Sequence, residues 1–358
     1  MSVRIIGMIG VEPPQGTTLH VIGGGVSAPF LRTFAQAHEA AGFDQVLVGY
    51  YSSSAEGFTV ASHAAAHTTT LSYLIAHRPG IVSPTLAARA AATFDHLSGG
   101  RLALHIIAGV SDREQESEGD FLKKDARYER AAEYLSVLRR VWTLDKPFDH
   151  EGRYYQFRGA WSAVKPLQQP APPIFFGGSS EGALAMGAEH CDVFALFGEP
   201  LKDTAERIAD FRRRAAPFGR HPGFNISFRP IIAATEGQAW DKAHRVLSDL
   251  EGANLSRGPQ DQSAKRLLEI AARGDTHDER LWLPIARATG AKGNTSCLVG
   301  TPEQVARAML EYYRLGVGSF LIRGFDPVED TTEFGRELIP MLREGAARID
   351  AQAAISQP

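Results

Sequence analysis

Leu71-Ser72-Tyr73-Leu74-Ile75-Ala76, then Thr85 to Leu97, then Arg101 to Ala108 decide the fold. The first run is short and apolar with aromatic and branched residues, the composition of a buried strand. Thr85 to Leu97 is alanine-rich and too long for a strand, so it reads as a helix. The third run is apolar again through Leu102-Ala103-Leu104 and Ile106-Ile107. Strand, helix and strand within roughly 40 residues make a βαβ unit, which lays its two strands parallel.

The same alternation extends outward from that unit. Upstream, Val3 to Ile9 reads as a first strand and Ala28 to Ala41 as a helix ended by Gly42. Gln45-Val46-Leu47-Val48-Gly49 follows, and then a helix over Phe58 to Ala66. Downstream, Tyr128 to Leu144 is an amphipathic helix, and Phe148 to Pro166 suggests a small hairpin excursion. Pro170-Ala171-Pro172-Pro173 breaks regular structure before a fifth strand at Ile174-Phe175-Phe176. A helix over Glu181 to Glu189 leads to a sixth strand, Asp192 to Leu196. Asn225 to Ala233 makes a seventh and Gly318 to Arg323 an eighth, with a helix over Pro302 to Leu315 before the last. Eight strands in parallel rhythm favour an α/β fold closed as a (β/α)8 TIM barrel over residues 1–358, one domain. The interval between strands seven and eight is too long for one crossover, so 237–300 is expected to be an insertion or lid. Its Thr289-Gly290-Ala291-Lys292-Gly293-Asn294-Thr295 stretch is expected to bury little and to be mobile.

Composition excludes several classes. Lys and Arg number 38 against 41 Asp and Glu, a net charge of −3, so nothing in the bulk charge favours nucleic acid or an anionic membrane. No apolar run approaches the ~20 residues a bilayer span needs, and the N-terminus reads as a strand rather than a signal peptide, so a cytoplasmic protein is expected. Two cysteines, Cys191 and Cys297, suit buried structural thiols and cannot form a thiolate metal site. His63 and His67 stand one helical turn apart with no carboxylate to complete a site, so no metal is expected. No Gly-x-Ser-x-Gly elbow is present.

In a barrel the chemistry sits at the C-terminal strand ends. Gly177-Gly178-Ser179-Ser180, after strand five, is a window of that kind. Glycines let a ligand approach the backbone, and N–H groups at a helix start attract phosphate. Capping of the helix by Ser179 or Ser180 explains the same string without a ligand. His77, His105 and Arg78 are catalytic candidates, or satisfied polar groups at strand ends. Asp112, Glu114 and Glu116 suit the start of a helix.

From about Gly42 to Leu342 the chain resembles the bacterial luciferase-like flavin monooxygenases, alkanesulfonate monooxygenase branch. The segments that carry the resemblance come in order. They are Arg78-Pro79 with Ser83-Pro84-Thr85-Leu86-Ala87-Ala88-Arg89, Phe94-Asp95-His96-Leu97-Ser98-Gly99-Gly100-Arg101, Arg127-Tyr128-Glu129, Pro170 to Ser180, and Leu298-Val299-Gly300-Thr301-Pro302. The resemblance implies a two-component enzyme in which a separate NAD(P)H-dependent reductase supplies reduced FMN. O2 and a small organosulfur substrate complete the reaction, and a sulfonate would yield sulfite and an aldehyde. It places the FMN phosphate on Gly178, Ser179 and Ser180, a phosphate or ribityl contact on Tyr128, and the flavin ring against His105, Ala108 and Gly109. The stretch from Gly290 to Thr295 would close over it.

Three departures bear on substrate. Ser54 stands where sulfonate enzymes carry a cysteine. Ser227-Phe228-Arg229 replaces Arg-x-His, moving the cation ~6.6 Å along the same inward face. Phe325-Asp326-Pro327 replaces Tyr-x-His. A sulfonate needs forked, permanently charged donors; Arg229 and Arg323 are the first candidates and Arg78 and Arg287 the second, although each also suits a structural ion pair. The expected catalytic set is therefore Ser54, His105, Arg229 and Arg323. The same fold also serves hydride transfer with deazaflavin F420, or a flavin-binding protein without catalysis. The resemblance further implies a homodimer or homotetramer, with the small residues Ala87, Ala88, Ala90, Ala91 and Ala92 suited either to a helix contact between subunits or to packing on the barrel.

Overall fold

A computed structural model describes residues 3–14, 16–19, 24–108, 111–252 and 262–355. The strands in chain order are β1 (Arg4–Met8), β2 (Gln45–Val48), β3 (Ser72–His77), β4 (Leu102–Ile106), β5 (Phe148–Glu151), β6 (Gln156–Ala160) and β7 (Ile174–Phe176). They continue with β8 (Val193–Phe197), β9 (Gly223–Ile232), β10 (Thr276–His277), β11 (Leu281–Trp282), β12 (Cys297–Gly300) and β13 (Ser319–Ile322). Eight of them close a parallel barrel in the order β9-β13-β1-β2-β3-β4-β7-β8, with β8 pairing back onto β9. β5 and β6 form the separate hairpin expected between Phe148 and Pro166.

β9 is the irregular member. Its first half pairs with β8 and β13, while Arg229 to Ile232 pair with β12, which continues antiparallel into β11 and β10. The strand thus leaves the barrel after Phe228 and founds a side ribbon. Helices Glu236–Gly252, Gln262–Ala271 and Pro284–Thr289 also lie between β9 and β12. The stretch expected to bury little does not behave so: Asn294, Thr295 and Ser296 are buried, and Asn294 donates through Nδ2 to Ser227 O at 2.7 Å.

Local chemistry explains the helix boundaries. Helix Pro84–Ser98 starts on a proline that needs no N–H partner and stops at Gly99, whose φ of 69° favours glycine. Thr301 and Gln304 form a capping box for helix Pro302–Arg314. Asp95, in the Phe94-Asp95-His96 string, is fully buried and accepts from Gln168 N at 3.0 Å and Nε2 at 2.7 Å. Ala87, Ala88, Ala91 and Ala92 are buried, so most of this small-residue stripe packs on the barrel. Leu86 and Leu97 remain exposed on the outer face of the helix. No described helix is long and apolar enough to cross a membrane.

Two core histidines set an acid limit. His38, 1% exposed, shares its Nδ1 proton with Phe34 O at 2.9 Å. His77 meets the Tyr134 hydroxyl through Nε2 at 2.7 Å. Burial lowers both from 6.5 to about 4. Both rings are neutral in the folded chain, whereas the unfolded chain takes up protons below pH 6.5. Stability is therefore complete above that value and is lost as pH falls toward 4. At pH 5 each ring removes about 2 kcal/mol. The urea midpoint should drop steeply between pH 7 and pH 5, and His38→Gln should flatten that slope. A midpoint unchanged across this window would contradict the assignment.

Candidate active site

Period-two alternation builds the site. Ile6, Leu74, Ala103, Phe175 and Leu321 point inward and plug the barrel, with Leu47 and Val193 beside them. Two residues on toward the C-terminal mouth, the inward positions are Met8, Gly49, Ala76, His105, Gly177, Ala195 and Arg323, and Ser227 joins them from β9. Half of these are glycine or alanine. The plug therefore gives way to a cavity of about 600 Å³, within the ~300–1,000 Å³ typical of cofactor and ligand sites.

A second hollow of about 90 Å³ adjoins it, sharing Ile107, Gly177, Gly178, Ser179 and Ser263 with the larger one. Ala108, Lys124, Tyr128 and Ser180 also belong to its wall. Ser180 caps helix Glu181–His190 by accepting from Ala183 N at 3.4 Å, which places the N–H end of that helix at this corner. Ser179 Oγ is hydrogen-bonded to Ser263 Oγ at 2.9 Å, and Arg207 donates to Gly178 O at 3.2 Å. Both glycines are sterically required. A Cβ on Gly177 would lie 2.7 Å from Ala195 O, and one on Gly178 would lie 2.7 Å from the Ala183 Cβ. Tyr128 stands edge-on to Phe176 at 6.3 Å. Gly109 lies outside the described residues.

His105 lines the cavity with no hydrogen-bond partner for Nδ1 among the described residues. Desolvation lowers it to about 4, so the ring is neutral at physiological pH. Arg323 also faces the cavity. Its Nε has no partner among the described residues, and Nη1 reaches the Met8 sulfur at 2.7 Å. Desolvation brings it down to about 10, still fully charged at pH 7.

The other candidates do not join it. Arg229 is 1% exposed and donates to the carbonyls of Asn294 (3.2 Å), Gly324 (2.9 Å) and Leu19, with its guanidinium over the Phe325 ring. Its side chain fastens loops and does not line the cavity, because β9 has already left the barrel at this residue. Arg78 is buried beneath Tyr50 and paired with Glu114 at 2.8 Å and with Glu118. Arg287 pairs with Asp275 and donates to Ala271 O on the ribbon side. The Ser54 hydroxyl closes its own turn, donating to Tyr51 O at 2.9 Å while accepting from Tyr51 N at 3.0 Å.

Several site residues carry no sequence signal. Lys124 and Arg207 sit on helix faces that look solvated in the sequence, although Lys124 lies one turn before Tyr128. Glu199 is buried at the cavity wall, its carboxylate held by Arg266 Nε at 2.9 and 3.0 Å. Among the described residues no group of three or more His, Cys, Asp or Glu side chains is placed to hold a metal ion.

Fold and site define a (β/α)8-barrel protein with a cavity at the C-terminal mouth and a smaller hollow beside it at the N-terminus of helix Glu181–His190. The chain belongs to the luciferase-like monooxygenase family, which it matches over residues 10–319. Solved structures share the fold at low identity. A riboflavin lyase, RcaE, crystallised with a modified FMN and riboflavin, aligns with a TM-score of 0.76 at 22% identity over 96% of this chain and 92% of its own. The EDTA monooxygenase EmoA from Chelativorans sp. BNC1 gives 0.76 at 18% identity over 96% and 94%. An F420-dependent secondary alcohol dehydrogenase gives 0.71 at 16% identity over 96% and 99%.

Proposed function

We propose that the protein is a reduced-FMN-dependent monooxygenase that takes O2 and a small organosulfur monoanion, desulfonating it to sulfite and an aldehyde. Arg323 is the observation that carries this reading: a cation in the cavity wall with no carboxylate partner among the described residues. Charges drawn out of bulk water normally have a counter-charge, and here the cavity is where one would enter. The related EDTA monooxygenase and the riboflavin lyase crystallised with modified FMN support a flavin and an oxygenation reaction.

The residues present fit FMN. Its phosphate would be held by the N–H end of helix Glu181–His190, the Ser179 hydroxyl and the Lys124 ammonium. Tyr128 closes that corner, and the ring side of the cavity presents His105, Ile107 and Gly177. Reduced FMN, once bound, supplies the electrons that activate O2. Leu47, Leu74, Leu196 and Leu321 keep water from the reacting atoms. His105, neutral and with Nδ1 open, offers one hydrogen bond without adding charge. Arg323 holds the head group and fixes which carbon faces the cofactor.

The test supplies a flavin reductase, FMN, NAD(P)H and O2, and measures sulfite released from a panel of alkanesulfonates. Sulfite from at least one supports the reading; none, with reduced FMN still bound, removes the sulfonate assignment. Binding of reduced F420 in place of reduced FMN would overturn the cofactor. Gly178→Ala should weaken FMN about tenfold, or ~1.4 kcal/mol, because its Cβ pushes the Ala183 end of the capping helix off the corner. Titration of FMN fluorescence reads this directly. Supply of the flavin by a separate NAD(P)H-dependent reductase belongs to the same proposal, as does a homodimer or homotetramer, for which the exposed Leu86 and Leu97 provide an apolar face.

A further inference from the structure

Met8 and Arg323 meet on the cavity floor. β1 and β13 run parallel with Ile6 opposite Leu321, so two residues on Met8 stands beside Arg323 and both side chains point inward. Buried guanidinium groups among the described residues find oxygen: Arg229 has three carbonyls and Arg78 two carboxylates. Arg323 has a thioether at 2.7 Å, a weak acceptor. Met8 is itself buried but lines the cavity, whereas Met186 and Met309 lie in the packing between helices and barrel and line none of it.

We propose that Met8 is a peroxide-modification site that governs Arg323. A sulfur lone pair attacks one oxygen of hydrogen peroxide. The S–O bond forms as the O–O bond breaks, and the proton left on the oxygen now bound to sulfur passes to the departing hydroxide. The products are methionine sulfoxide and water; sulfur loses two electrons and the peroxide gains them. The sulfoxide oxygen is a strong acceptor next to Nη1, so the weak N–H···S contact becomes a charge-assisted N–H···O bond. Arg323 then has its counter-dipole inside the protein and no longer draws an anion into the cavity. The source of peroxide rests on the proposed function, since reduced flavin that consumes O2 without substrate releases hydrogen peroxide in this cavity. A substrate anion held on Arg323 covers the sulfur, so modification is confined to turnover without substrate. Methionine sulfoxide reductases reverse it. The device stops an enzyme that is burning reductant to no purpose.

The test begins with the full-length protein, free of flavin, treated with hydrogen peroxide and digested for mass spectrometry. One added oxygen should accumulate on Met8 about fivefold or more faster than on Met186 or Met309; equal rates would overturn the site. The singly oxidised protein should melt higher than the untreated one, and in Arg323→Leu the same oxidation should lower the melting temperature. A fall of equal size in both proteins would overturn the link to Arg323. A second arm runs reductase, FMN and NAD(P)H without substrate. Wild type should gain oxygen on Met8 and lose the activity it started with, while Met8→Leu keeps more of its own starting activity. Success in the first arm with no oxidation in the second would count against the flavin reading and leave the peroxide site standing.

Discussion

Arg323→Leu is expected to lower kcat/KM for the organosulfur anion by about a hundredfold or more and to make the empty protein more stable. The loss follows from deleting one partner of a desolvated charge pair, which removes ~3 kcal/mol or more. The gain follows from the state of the free enzyme. Arg323 is held among apolar side chains with a thioether at Nη1 and nothing at Nε among the described residues, and desolvation has pulled it down to about 10. A half-buried cation at the cavity with no counter-charge beside it destabilises the fold that contains it, though less than a fully buried one would. Removing it should raise stability by about 1–2 kcal/mol once the lost stem packing is subtracted. Arg323→Lys keeps the charge but not the fork, and should recover only part of the activity. Anion binding should stay level from pH 6 to pH 9 and weaken above about pH 10, where the guanidinium loses its proton. Steady-state kinetics and thermal melting decide together. Unchanged kcat/KM, or a lower melting temperature with the same kinetics, would make Arg323 a structural residue.

The barrel was legible because its signal is local. Short apolar runs, a proline at a helix start and a glycine at a helix end are set by neighbours a few residues away, and Gly177 to Ser180 announces a close backbone approach in the same way. Partnerships across the chain were not legible. Arg78 looks like a candidate anion ligand until Glu114 and Glu118, from the short helix beyond β4 and the turn after it, take both ends of its guanidinium. Ser54 looks like an open donor until its own turn closes on it. The alternation rule placed Arg229 on the inward face correctly along the strand and failed on where the strand goes, since pairing with β12 carries residues 229–232 off the barrel. Arg323 faces the cavity because β13 ends one residue earlier, still paired within the barrel.

The fate of Arg229 also sets the largest stability effect. Its guanidinium gathers three segments remote in sequence, through Leu19 O, Asn294 O and Gly324 O, and stacks at 4.7 Å on the Phe325 ring. Desolvation and the nearby Arg323 cation hold its pKa well below the ordinary arginine value, so the carbonyl dipoles are what make the charge tolerable there. Arg229→Met keeps much of the volume and strips donors from three carbonyls at once. Losing a charge-assisted bond at each is worth ~1.5–3 kcal/mol, offset in part by relief of the buried charge, for a net cost of about 4 kcal/mol. Arg229→Lys has the charge without the planar reach to three acceptors, and should recover less than half. Because Asn294 belongs to the loop that walls the cavity and bonds to Ser227 O, its release should raise amide exchange across 290–296 and weaken flavin binding. The direct role of Arg323 should persist in the protein that remains folded. Urea denaturation of Arg229→Met within about 1 kcal/mol of wild type, or an unaltered exchange pattern in that loop, would show that the three carbonyls are held by something else.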